Sequence, residues 1–161
     1  MKKLPAVEEA RAIMTEGMEW GVWKWLTEKK RVRQIADRAR AALDELEMQV
    51  KLTWPDDYKL AYNQLVAENG SSKGPRKNNK KAKAGVVAVP CDPKILAAAE
   101  KIKEADDDAY NAHEDAEEVF ADAERKMSTS LAREGARLAL VAYDTHEAAI
   151  RKAEGLAKVK I

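Results

Sequence analysis

The chain contains only two histidines, and they stand in matching surroundings. Ala109-Tyr110-Asn111-Ala112-His113-Glu114-Asp115-Ala116 and Ala142-Tyr143-Asp144-Thr145-His146-Glu147-Ala148-Ala149 agree at five of eight positions. Glu117 lies one helical turn after His113, and Glu114 and Glu147 adjoin the two imidazoles in sequence. Imidazoles and carboxylates projecting into a helical bundle are the donors of metal-carboxylate centres. His113, Glu114, Glu117, His146 and Glu147 are therefore the candidate ligands for a transition metal. Against this, the helix-bundle motif that puts Glu three residues before His is broken by Tyr110 and Tyr143. The first long segment also offers no acid at matching turns. The plainer expectation needs no cofactor. In an antiparallel hairpin centred near residue 128, His113 falls level with Tyr143 and Tyr110 with His146, so Tyr–His hydrogen bonds set the register.

A second concentration of chemistry is aromatic. Met18, Trp20, Val22, Trp23, Trp25 and Leu26 spread over most of a helical circumference. One seam covers Met18, Trp25 and either Val22 or Leu26, and leaves Trp20 and Trp23 pointing elsewhere. A helix that is apolar nearly all round is buried on more than one side. Either the chain itself supplies the cover, from residues 55–68 and 86–89, or another molecule does. Because Trp is enriched at binding hot spots, Met18, Trp20, Trp23, Trp25 and Leu26 are the candidate surface for a protein partner or a second copy. Lys24, Lys29, Lys30, Arg31 and Arg33 flank the cluster as in a membrane-surface helix, but Glu16, Glu19 and Glu28 oppose that use.

Charge is balanced in total and uneven along the chain. Lys and Arg number 29 against 28 Asp and Glu, a net charge of +1. Lys73, Arg76, Lys77, Lys80, Lys81 and Lys83 form a basic stretch without an acid, whereas residues 92–127 hold twelve acids and five cations. A solvated loop beside a solvated acidic face accounts for both. The loop would also dock on the acidic helix, or grip nucleic-acid phosphates without sequence preference. No aromatic lies within it to stack bases, and the acidic helix repels a duplex, so nucleic acid is the second alternative.

Catalytic signatures are otherwise missing. There is no phosphate-binding glycine loop, nucleophile elbow or His-Glu-x-x-His motif, and Cys91 is the single cysteine, which excludes a disulfide framework. An enzyme of an ordinary class is not expected.

These residues need long helices to position them. Gly is rare at seven, Pro at five, and Ala is abundant, a composition suited to helix rather than sheet. Apolar residues recur at a spacing of 3.5 from Val7 to Leu46, which predicts one long helix over 4–52, with Gly17 and Gly21 marking a bend or a close contact. Pro55, Asp56 and Asp57 restart a short helix that ends at Asn69-Gly70. Residues 70–91 read as a basic flexible loop followed by an apolar strap. Asp92-Pro93 caps an Ala-rich run whose only break is Ser128-Thr129-Ser130, so an antiparallel hairpin over 92–161 is preferred to one continuous helix. No run of 18 apolar residues crosses a bilayer, and the Lys2-Lys3 start leads to acids rather than an apolar core. A cytoplasmic location is the expectation. The expected fold is an all-α elongated helical bundle with coiled-coil-like packing, in three segments at 1–69, 70–91 and 92–161. The expected function is non-catalytic: a subunit, adaptor or scaffold docking through Trp20, Trp23 and Met18, steered by the basic loop.

Overall fold

A computed structural model describes residues 3–69 and 92–156, and the basic loop and apolar strap expected at 70–91 lie outside them. The described residues are all-α, with α1 over Pro5–Gly17, α2 over Val22–Leu52, α3 over Asp56–Asn69, α4 over Pro93–Lys126 and α5 over Thr129–Leu156. None of these helices is long and apolar enough to cross a membrane.

Where the spacing reads as one helix over 4–52, there are two. The chain leaves the helix after Gly17 and restarts at Gly21, whose extended backbone (φ −80°, ψ 167°) caps α2. α1 then folds back along α2, so that Gly17 meets Trp25 and Glu9 meets Arg38. The close approach at Gly17 needs the missing side chain, because a Cβ there would sit 2.5 Å from the Trp25 indole. That indole donates to the Gly17 carbonyl at 3.1 Å. The turn is also held by α5. Thr129 Oγ1 accepts from the Val22 N–H at 3.0 Å, and Arg133 Nε donates to the Trp20 carbonyl at 3.0 Å. The apolar period carries on past this turn, with Gly21 and Glu28 as its exceptions, because both arms of the hairpin present their stripe to the same core.

The C-terminal hairpin forms as expected. Asp92 Oδ1 caps α4 by accepting from the Lys94 N–H at 2.8 Å, with Pro93 in the first turn. Met127 closes α4 in the left-handed region (φ 51°), and Ser128 Oγ accepts from the Leu131 N–H to open α5. Buried Ala116 and Ala123 on α4 and Ala132, Ala136 and Ala139 on α5 line the near end of the hairpin with small side chains, so the helices pack closely. Phe120 lies directly on Gly135.

Side-chain pairs give the remaining directions. Lys29–Glu124, Arg40–Glu117 and Lys51–Asp106 run α2 antiparallel to α4. Val22–Thr129 and Glu47–His146 run it parallel to α5. Tyr58, Ala61 and Leu65 bury one face of α3, which packs on α4. One apolar core joins all five helices, with Val7, Met14, Leu43 and Ile150 among its most buried members. α2 and α4 stand further apart than the other neighbours, and the functional candidates cluster along that opening.

Candidate functional site

His113 on α4 and His146 on α5 are both buried, and each imidazole uses one nitrogen on the other, His113 Nε2 to His146 Nδ1 at 3.1 Å. Tyr143 packs edge-on against His113 with ring centres 5.8 Å apart. Neither expected Tyr–His hydrogen bond is formed; Tyr143 meets His113 only as a ring contact. Tyr110 does not reach His146; it lies beneath the Arg40 guanidinium at 5.7 Å. The register instead rests on a direct His–His hydrogen bond.

The acids around His146 are not those adjoining it in sequence. Glu114 and Glu117 turn to Arg40, and Glu147 pairs with Arg11 at 3.0 Å. His146 Nε2 points across the bundle to α2, to Glu47 Oε2 at 3.1 Å and Asp44 Oδ1 at 3.6 Å. Asp44 and Glu47 are the carboxylates that sequence reading missed. Their spacing of three residues puts them on one face of α2, but only the interhelical register shows that this face meets His146.

Glu47 continues the network inward. Its Oε1 accepts from Lys51 Nζ at 2.7 Å, and the same ammonium reaches Asp106 Oδ2 at 2.7 Å and the Tyr62 hydroxyl at 3.0 Å. Tyr62 in turn donates to Asp106 Oδ2 at 2.6 Å. Four helices therefore meet in one polar centre. Asp106 Oδ1 is buried there without a hydrogen-bond partner.

The electrostatics follow from burial and pairing. Burial, followed by the nearby His146 and Arg40, holds His113 down to about 3, so its ring is neutral at ordinary pH. For Glu47, burial works upward, but hydrogen bonds from His146 and Asp106 and the Lys51 charge outweigh it and hold the carboxyl at about 2. Asp106 goes the other way: burial and the Glu47 carboxylate lift it to about 6 despite Lys51. Lys51 itself is raised, because Asp106 and Glu47 overcome the cost of burying an ammonium. Burial lifts the Tyr143 hydroxyl to about 12.

Two cavities open beside this centre. The first, about 450 Å³, fills the space between α2 and α4, with Trp25, Val32, Phe120, His113 and Tyr143 on its walls. The Lys29–Glu124 and Arg40–Glu117 ion pairs span it. The second, about 410 Å³, is a groove where Asp44, Glu47 and Lys51 adjoin Met48, Leu52 and Trp54.

The tryptophan cluster divides. Trp20 and Trp25 are inside, 5.1 Å apart edge to face, with Trp25 against Phe120 at 5.0 Å. Met18 and Leu26 are half-buried. Trp54 is buried, its indole donating to the Ala153 carbonyl at 2.8 Å. Only Trp23 faces outward, 74% exposed, among the four indoles. The turn at residues 18–21 is what re-aims Trp20: a continuous helix would have left it outside. The candidate cations Lys73, Arg76, Lys77, Lys80, Lys81 and Lys83 lie outside the described residues. No family model, no curated protein and no solved structure matches the chain, and its functional reading rests on this geometry.

Proposed function

We propose that the protein is a non-catalytic helical subunit that associates head to tail with further copies of itself, anchored by Trp23. The observation that carries this reading is the exposure of Trp23 in a chain that buries its other three indoles. A solvated indole in an otherwise sheltered set is the residue type that anchors interfaces.

The two ends of α2 supply complementary surfaces. At its start, Trp23 and Met127 are exposed beside the two turns, with exposed Lys24, Lys30 and Lys126 nearby in the chain. At its far end, Met48 and Leu52 are exposed one turn apart, with exposed Asp44, Glu45, Asp56 and Asp57 around them. An apolar, basic head thus faces an apolar, acidic tail on the next copy. Such a contact uses two different patches, so it builds rings where the rotation closes and open chains where it does not.

Light scattering over a concentration series tests this. Wild-type protein should grow in mass with concentration, and Trp23→Ala should remain monomeric with unchanged helicity. Leu52→Lys should also block growth, and mixing it with Trp23→Ala should give dimers and nothing larger. A wild-type monomer at every concentration, or growth untouched by Trp23→Ala, overturns the reading.

A further inference from the structure

Asp44, Glu47 and His146 bring a donor atom each to one point at the mouth of the second cavity, all within 4.8 Å of one another. We propose that these three side chains bind one divalent first-row metal ion, with His113 as the outer hydrogen-bond partner of the imidazole ligand. The inference does not rest on self-association, although Asp44 also belongs to the tail patch.

Spacing is the first support. His146 Nε2 lies 3.1 Å from Glu47 Oε2 and 3.6 Å from Asp44 Oδ1. Donors bound tetrahedrally at about 2.0–2.1 Å are separated from each other by roughly 3.3 Å. The two separations from the imidazole bracket that value, and the Asp44 and Glu47 oxygens lie within 4.8 Å of each other, so an ion would draw in side chains that already converge. Lys51 occupies Glu47 Oε1 and leaves Oε2 for the ion, which makes Glu47 a one-oxygen ligand.

The second support is the far side of the imidazole. A metal-bound histidine almost always engages its other ring nitrogen in a hydrogen bond that fixes its orientation. Here His146 Nδ1 already faces His113 Nε2 at 3.1 Å inside the bundle. Proton positions balance simply. Without the ion, the neutral tautomers that satisfy both contacts have His113 Nε2–H donating to His146 Nδ1 and His146 Nε2–H donating to Glu47. With it, each imidazole carries its proton on Nδ1, His146 donates to His113, and the pair has neither gained nor lost a proton.

Charge is the third. Glu47 and Asp106 both pair with the single ammonium of Lys51, and Asp44 adds a further carboxylate beside Glu47, an acidic surplus that a dication relieves. Asp44 is largely exposed and adjoins the groove, so the coordination sphere opens to solvent through that side. One imidazole and two carboxylates suit zinc, manganese or ferrous iron, whereas calcium takes six to eight oxygens.

The full chain, stripped with a chelator, should take up one Zn²⁺ by calorimetry. Co²⁺ should give visible absorption bands that report nitrogen and oxygen ligands in a low-symmetry sphere. His146→Ala should abolish uptake, and Asp44→Asn and Glu47→Gln should weaken it at least about tenfold. His113→Ala should weaken it about 10–100-fold through the lost outer contact. Asp44→Asn alters an exposed side chain, so it tests the site even where His146→Ala fails to fold by circular dichroism. Glu114→Gln should bind as wild type, and Trp23→Ala should load one ion whether or not it assembles. The proposal is overturned by the absence of one-to-one uptake, by uptake that Asp44→Asn leaves intact, or by uptake that Glu114→Gln removes.

Discussion

His113 shows how position within a bundle decides the state of a titratable group. Its ring is enclosed between Tyr143, His146 and Arg40, so charging it means burying an ion beside another cation. Its value in the fold, about 3, lies below the ordinary 6.5, so the unfolded chain takes up a proton in this window that the folded chain refuses. Stability from this group is therefore complete above about pH 6.5 and is lost as the pH falls towards 3. Asp106 works in the opposite sense between 3.8 and about 6, since the folded state holds its proton more tightly. That contribution is common to wild type and a His113→Asn variant, and it cancels in their difference. Denaturant titrations from about pH 7 to about pH 4.5 should show wild type losing roughly 2–3 kcal/mol more than His113→Asn. Equal losses would mean the ring is charged in the folded state without cost.

At the scale of elements, the first hairpin is held by α5 as well as by its own Gly17–Trp25 contact. Neither Leu4 nor Gly21 offers a capping side chain to α1 or α2. The α2 start takes its cap from Thr129, which lies 107 residues further along the chain. Thr129→Val keeps the side-chain volume and removes the acceptor, and should cost about 1 kcal/mol in a chemical melt. The loss should appear as faster amide exchange over residues 18–24 before any change in the α4–α5 hairpin. Uniform exchange across the bundle would show the turn to be held by packing alone. This contact explains why the break was hard to read: Gly17 and Gly21 mark it, but part of what stabilises it, Thr129 and Arg133, belongs to a distant helix.

For the whole molecule, the polar centre and the two ends of α2 make different demands. The centre draws on α2, α3, α4 and α5 and ties them with Lys51, Tyr62, Asp106 and the histidine pair. The proposed contact sets Lys24, Lys30 and Lys126 against Asp44, Glu45, Asp56 and Asp57, so head-to-tail growth should weaken with salt. Sedimentation between about 0.05 and 0.5 M salt should show assembly constants falling several-fold, while Trp23→Ala stays monomeric throughout. Assembly indifferent to salt would leave the indole contact without its charge partner.

The amino-acid sequence determined the all-α class, the Pro55 restart and the Asp92–Pro93 cap, and favoured a hairpin at Ser128 over one continuous helix. These follow from local rules, namely helical period, capping residues and proline geometry. It also marked His113, His146 and Trp23, because rare residue types stand out in an Ala- and Glu-rich chain. Tertiary structure alone decided their partners. Which carboxylates face His146 depends on how far α2 slides against α5, and a shift of one turn would exchange Asp44 and Glu47 for other residues. Likewise, four residues of turn decide whether Trp20 lies in the core or in water. Spacing along a chain fixes which side chains share a face, but the relative placement of two faces is set by packing between helices, which no local pattern encodes.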